Sequence, residues 1–271
     1  AVKRASTLTF GLRGIWYVLL VLLYAPLAVV VVYSFNSVNS SADFVGVSLR
    51  WYRALFADDT ILAAAWNSAV LALVSSMLAT AIGTALGYGM YAHRARRLGW
   101  LIWLIYLPII MPDIVYGIAQ LSFFSRLAAA TQIFDLGLGT MIIAHVSFQA
   151  PFVALLVYSR LVGLDPRLFD ACSDLYANAW QRARFFILPT LQPAIVAGFF
   201  LALTLSIDDF VISYFTSGPE SVTLPIFIWS AIKRGISPEI NAIATLMIGT
   251  VLAAAAITLA FQYVRHRRVG E

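Results

Sequence analysis

An all-α integral membrane protein with six transmembrane helices is the fold class this sequence predicts, and three observations predict it. First, 61% of the 271 residues are hydrophobic and only 11% are charged, against about 25% charged in an average soluble domain; the mean hydropathy is +0.86. Second, six apolar stretches centre on 14–35, 63–91, 99–124, 138–159, 188–213 and 240–264, each near the roughly 20 residues that cross a bilayer as a helix. Third, the cations are divided unevenly between alternate loops. Of the 18 Lys and Arg residues, 13 lie in the N-terminal segment, the 92–98 loop, the 160–187 loop and the tail, and 5 lie in the other three loops. Positive charge stays on the cytoplasmic side, and an even number of spans puts both ends on one side, so both termini are expected in the cytoplasm. The organisation that follows is a cytoplasmic segment 1–13, one transmembrane domain 14–264 with a long cytoplasmic loop at about 160–187, and a cytoplasmic tail 265–271. The net charge of +5 is then a signature of topology and not of a nucleic-acid-binding patch.

The first span has a basic start (Lys3, Arg4, Arg13) and no convincing A-x-A site, so it reads as an uncleaved anchor. The outer segment 36–60 turns amphipathic at "SLRWYRALFADD", where Trp51, Tyr52, Leu55 and Phe56 fall at helical spacing. That suits a short helix at the outer interface. In the second span Ala81, Gly83, Ala85, Gly87 and Gly89 permit close helix contact. The third holds "LPIIMPDIVYG", where Pro108 and Pro112 should kink one continuous helix. The fourth carries His145, in a setting where a histidine is commonly an interhelical hydrogen-bonding group, and Gln149 one turn later. Asp165-Pro166 reads as a helix start. Leu168, Cys172 and Leu175 then give an apolar side, with Arg167, Asp170 and Asp174 opposite, predicting a short amphipathic helix in the 165–182 segment that lies on the cytoplasmic face or docks a soluble partner.

The fifth span ends in "TLSIDDFVISYF", and there the charge pattern becomes informative. A charge at the centre of a span costs about 2.5–3.5 kcal/mol on insertion scales. Asp208 lies nineteen residues after Pro189, about 28 Å along a helix, and Asp113 fourteen residues after Gly99, about 21 Å from the same side. Asp113, the pair Asp208 and Asp209, and His145 with Gln149 thus reach a similar depth from three spans. Asp208 and Asp209 could instead end a helix in water, and Asp113 could pair with a buried donor. Successive helical residues point about 100° apart, so at most one of the pair faces a central passage. Carboxylates beside a wet passage suit a cation, and Trp51, Tyr116 and Trp66 could add cation–π contacts of about 0.5–2 kcal/mol each.

Enzymatic function is not expected. The chain has no Gly-x-x-x-x-Gly-Lys-Ser/Thr loop, no nucleophile–histidine arrangement and no metal-ligand spacing, and its three histidines and its one cysteine, Cys172, are scattered.

The cytoplasmic loop carries "DACSDLYAN" followed by "ILP". It resembles the coupling-loop motif of ABC importer permeases, with Asp170-Ala171-Cys172 at the Glu-Ala-Ala places and Ile187-Leu188-Pro189 closing it. Asp stands for Glu, and Tyr176 stands where Gly is usual. "MPDIV", "PFVALLVYSRL", "TLSIDDFVISYFTSGP", "TLPIFIWS" and "GISPEINAIAT" are similar to the spermidine/putrescine importer permeases of the second-permease type, over about residues 45–260. The resemblance implies a type I ABC importer permease fold in a bacterial inner membrane, in membrane lipid, with a second homologous permease, two ATP-binding subunits and a periplasmic substrate-binding protein. ATP and Mg would sit on the partner ATPase, with no cofactor on this chain. It implies ATPase coupling through Arg167, Asp170, Ala171, Asp174 and Leu175, and a polyamine path past Asp113, Ser206, Asp208, Asp209, Trp51, Trp66 and Tyr116. Two alternatives stay open: an importer permease for another cationic or amine solute, such as an opine or aminophosphonate, and an ion-coupled secondary carrier using Asp113 as a relay. A carrier would need no ATPase-docking loop.

Overall fold

A computed structural model describes residues 2–40, 43–92, 99–131, 134–165, 167–235, 238–250 and 252–253. Apart from one isolated bridge between Asn36 and Val47, the regular structure among the described residues is helical. Five helical stretches are long and apolar enough to cross a membrane: Arg13–Tyr33, Asp59–Ala92, Asp113–Thr131, Leu138–Val162 and Ala179–Ile207. The expected sixth span, 240–264, is helical over 238–250, and its remainder lies almost wholly outside the described residues. So do the basic loop 93–98, the tail and Pro166. The chain divides into two units, residues 1–62 with 228–271, and residues 63–227.

In the first unit, α1 (Val2–Tyr33) runs without a break through the segment that was expected to precede it. The outer segment after it is built around Asn36. Its Nδ2 donates to the carbonyls of Ser40 at 2.8 Å and Asp43 at 2.7 Å, and its Oδ1 accepts from the Val45 amide at 3.2 Å. The expected interfacial helix is α2 (Arg50–Ala57), and it buries Trp51 and Leu55, one turn apart. Asp58 then caps α3 (Asp59–Ala92). Its Oδ1 accepts from the Thr60 hydroxyl at 2.6 Å and the Thr60 amide at 2.8 Å, the usual N-cap chemistry. The Thr60 hydroxyl and amide hold the Asp58 carboxyl below the ordinary carboxylate value.

The second unit contains α4 (Gly99–Ile110), α5 (Asp113–Thr131), α6 (Leu138–Val162), α7 (Arg167–Asp174), α8 (Ala179–Gln181), a π-helical segment Arg182–Ile187, α9 (Leu188–Ile207), α10 (Val211–Thr216) and the start of α11 (Leu224–Arg234). Two expectations are corrected. The third span is not one kinked helix: Pro112, with no amide hydrogen to donate, separates α4 from α5. The fifth span stops at Ile207 and restarts at Val211. The short helix expected in the 165–182 segment is α7.

Small residues set the packing of α3, α6 and α9. A Cβ at Gly83 would fall 2.6 Å from Val153 Cβ, one at Gly87 2.5 Å from the Ala154 carbonyl oxygen, and one at Gly198 3.0 Å from Val153 Cγ1. Val153 on α6 is therefore held between two glycines, and only hydrogen leaves the room. Val153, Val157, Leu161, Leu191 and Ala202 are buried in the resulting core. The register makes α6 parallel to α3 and antiparallel to α9. A second cluster joins α5, α6 and α10 through Tyr116, Phe124, Ala144, Phe148 and Ile212. It closes at Gly117, where a Cβ would lie 2.7 Å from Phe215 Cδ2.

Candidate functional site

The break between α9 and α10 is made by its two acids. Asp208 ends α9, its amide reaching the Thr204 carbonyl at 3.4 Å. Asp209 starts α10: Oδ1 accepts from the Ile212 amide at 3.2 Å and Oδ2 from the Ser213 amide at 2.8 Å. A helix start leaves its first amides without intrahelical partners, and a carboxylate supplies acceptors for two of them here. The remaining contact of Asp209 crosses to α6, where His145 Nε2 stands 3.3 Å from Asp209 Oδ2. The same nitrogen is 3.1 Å from Ser213 Oγ, and Nδ1 is 2.9 Å from Ser206 Oγ. Ser206 continues to Ser75 of α3 at 3.3 Å. A carboxylate only accepts, so the tautomer that suits this contact carries the proton on Nε2, between Asp209 Oδ2 and Ser213 Oγ.

Two residues further along α6, Ser147 faces α5. Its Oγ is 2.7 Å from the Tyr116 hydroxyl and accepts from Gln120 Nε2 at 3.1 Å. One stretch of α6, 145–147, thus meets both the start of α5 and the α9–α10 break. Asp113 is three residues before Tyr116 and is exposed at the first turn of α5. Asp208 is exposed as well, whereas the Asp209 side chain is 10% exposed.

The other residues singled out in the sequence fall in distinct settings. Ser206 is buried within the His145 network. Tyr116 is buried with its ring centroid 5.6 Å from that of Phe148. Trp66 on α3 is 70% exposed. Trp51, in the other unit, is buried. Its Nε1 donates to the Asn36 carbonyl at 2.6 Å, and the Arg50 guanidinium carbon lies 4.5 Å from its ring centroid, so a cation already covers one face. Gln149 is completely buried, and its amide has no hydrogen-bond partner among the described residues. The sequence reading missed Ser75 and Ser213. A signal existed: Ser206 and Ser213, seven residues apart, flank an acid in an otherwise apolar run.

The 167–187 segment forms a second surface. Arg167, Asp170, Ala171, Asp174 and Leu175 are all exposed. Leu168 and Leu175 face outward, and Phe169 is the pin, its ring centroid 5.4 Å from Tyr91 and 5.2 Å from Phe186. α7 ends in a Schellman turn, with the Ala177 amide donating to the Cys172 carbonyl at 3.2 Å. The residue in the left-handed position is Tyr176, at φ +53°, and its side chain is 94% exposed. Asn178 then caps α8 reciprocally with Gln181: each side chain accepts from the other's amide, at 2.8 and 3.0 Å. The turn that glycine normally makes is kept with a tyrosine in it.

Among the described residues no cluster of His, Cys, Asp or Glu could hold a metal ion. No protein-family model matches the chain. Curated relatives do. The spermidine/putrescine transport system permease protein PotC of Escherichia coli K12 is 38% identical over 226 residues, 83% of this chain and 84% of that one. PotC of Haemophilus influenzae is 36% identical over 245 residues, 90% and 93%. The putrescine transport system permease protein PotI of Escherichia coli K12 is 37% identical over 246 residues, 88% of each. Among solved structures, a bacterial ABC transporter that imports the acidic polysaccharide alginate superposes with a TM-score of 0.75 at 15% identity, covering 98% of this chain and 97% of that one. The bacterial alginate ABC transporter in complex with an alginate pentasaccharide-bound periplasmic protein gives 0.74 at 15% identity, covering 95% and 93%. At that identity the likeness shows the fold alone.

Proposed function

The chain belongs to the PotC/PotI family of ABC transporter permeases, a transport subunit and not an enzyme, and from that premise we propose that it carries spermidine or putrescine inward across a bacterial inner membrane in an ATP-driven importer. The observation that supports the reading is that one stretch of α6, 145–147, contacts both the first turn of α5, which begins at the exposed Asp113, and the α9–α10 break, which holds the exposed Asp208. A polyamine is a flexible chain of ammonium groups, and acids beside a wet passage attract it. They must do so weakly, since tight binding would hold the substrate in the channel. Asp113 and at least one of Asp208 and Asp209 are read as the acids on the path, with Tyr116 and Trp66 as aromatic neighbours.

The finer architecture is proposed on the same footing. Six spans with both termini in the cytoplasm fit the 13-to-5 division of Lys and Arg. The partners would be a second homologous permease, two ATP-binding subunits and a periplasmic binding protein. Arg167, Asp170, Ala171, Asp174 and Leu175 would meet an ATPase, which would hold ATP and Mg. Closure of the ATPases would then move α7 and, through Phe169, the helices it is pinned to.

The test is uptake of radiolabelled spermidine and putrescine by the importer assembled in proteoliposomes, with and without ATP on the ATPase side. ATP-dependent uptake competed by either polyamine is expected. Uptake that runs on an ion gradient without ATP, or none of either polyamine, overturns the reading.

A further inference from the structure

We propose that His145 is a positioning residue: through Asp209 it locks the α9–α10 break so that the Asp208 carboxylate projects outward. The proposal rests on the cation-path reading above and names what holds that path in shape.

A break inside a membrane span is costly unless its freed backbone groups find partners. Two amides of α10 find theirs on Asp209, but a two-point cap alone leaves the acid free to swing as a unit with α10. The third donor removes that freedom. His145 reaches Asp209 from α6, which is the most buried helix of the unit. Its ring is 1% exposed and is held on both edges, by Ser206 in the last turn of α9 and by Ser213 in the first turn of α10. One imidazole therefore ties the end of one helix, the start of the next and the acid between them to a third helix. Ser206 passes the tie to Ser75 on a fourth.

The consequence for Asp208 is geometric. It is the residue before Asp209, and neighbouring side chains on such a backbone diverge widely. With Asp209 turned inward onto three donors, Asp208 is turned away from them, and it is the exposed one. The two acids thus divide the work. Asp209 is spent on structure, and its neighbour stays exposed. The network is also an improbable one to keep for packing alone, because a buried histidine and its serines cost free energy unless each is paired.

The experiment is a double-mutant cycle on the assembled importer in proteoliposomes, reading spermidine uptake per assembled transporter, with the thermal midpoint measured in parallel. The variants are Asp208→Asn, His145→Leu, His145→Gln and the Asp208→Asn/His145→Leu double. Uptake should fall about tenfold or more in His145→Leu, the order expected when hydrogen bonds to a charged group are lost. It should fall at least as far in Asp208→Asn. The double should be no worse than Asp208→Asn alone, because His145 works through that acid. His145→Gln, whose amide can still donate to Asp209, should recover most of the rate. A purely structural histidine gives a different pattern, in which the losses multiply in the double and follow the thermal midpoint; that pattern overturns the proposal. Normal uptake in His145→Leu with impaired Asp208→Asn overturns it alone. Normal uptake in Asp208→Asn overturns this inference, whereas normal uptake in Asp113→Asn, Asp208→Asn and Asp209→Asn alike overturns the cation-path reading as well. If His145→Leu does not assemble, His145→Asn, too short to reach Asp209, takes its place in the cycle.

Discussion

His145 and Asp209 meet at 3.3 Å, side chain to side chain, across two helices that share no neighbouring sequence. Asp208, one residue away from that contact, is exposed. A pair of acids that looks symmetrical in the sequence is thus asymmetrical in the fold, and the asymmetry has measurable consequences.

Asp209 acts first as a cap. Asparagine is also a good cap, but it has one acceptor oxygen where aspartate has two, so Asp209→Asn should keep one of the two acceptors for the α10 amides and lose the charge that faces His145. Asp209→Ala loses both acceptors and the charge. We expect Asp209→Ala to destabilise the purified transporter by about 2 kcal/mol and Asp209→Asn by about 1 kcal/mol or less. Thermal unfolding in detergent gives the order, and an alanine variant as stable as the parent would remove the cap from the account.

Tyr176 holds a left-handed backbone that glycine adopts without steric cost. Its side chain is 94% exposed, so little packing is lost with it. Tyr176→Gly should therefore stabilise the α7–α8 turn by about 1 kcal/mol. A raised thermal midpoint agrees; a lowered one would mean that the tyrosine ring has a partner worth more than the strain.

This position also marks how much of the molecule could be read in advance. Membrane class, the small-residue face of α3 and the cap at Asp165 follow from composition and period, both of which are local. The breaks at Pro112 and Asp208 were read as kinks or ends, because a one-dimensional pattern does not tell a bent helix from two helices. The inward pin Phe169 was passed over for Leu168. Both fit an apolar side at helical spacing, and only Tyr91, 78 residues earlier, decides between them. Tyr176 could be flagged as a departure from glycine, but whether the turn survived was a property of the backbone.

Phe169 and Asp170 sit side by side and should separate two effects. Asp170 is exposed, and replacing it with Lys should weaken co-purification with the ATPase while the permease stays inserted. Phe169→Ala removes the ring that packs on Tyr91 and Phe186. It should leave ATPase binding largely intact but lower uptake per ATP hydrolysed, because α7 then moves without its helices. Unchanged coupling in Phe169→Ala would disconnect the pin from transport.

Gly83 tests the α3–α6 contact. A methyl group there would lie 2.6 Å from Val153 Cβ and 2.7 Å from the Ala150 carbonyl oxygen, which is backbone and has little room to move. Overpacking of this kind costs about 1–3 kcal/mol. Gly83→Ala should lower the yield and thermal midpoint, and adding Val153→Ala should restore little, because alanine keeps the Cβ and the Ala150 carbonyl stays in place. An indifferent Gly83→Ala would mean that the two helices are further apart than the structure has them.

Gln149 lies one turn beyond His145 on α6, completely buried, and neither atom of its amide has a hydrogen-bond partner. Burying an unpaired amide costs about 1–3 kcal/mol by protein mutational measures. Methionine has nearly the same volume and no such group. Gln149→Met should therefore raise the thermal midpoint, by the equivalent of about 1 kcal/mol or more. Uptake then discriminates between two roles for the amide. If it is only a cost, uptake per assembled transporter is unchanged and the variant is simply more stable. If the amide finds its partner when the helices tilt during transport, removing it stabilises the present arrangement against the other, and uptake falls while stability rises. A variant that is both less stable and less active contradicts the unpaired amide itself, and would show that Gln149 holds a bond in the working protein.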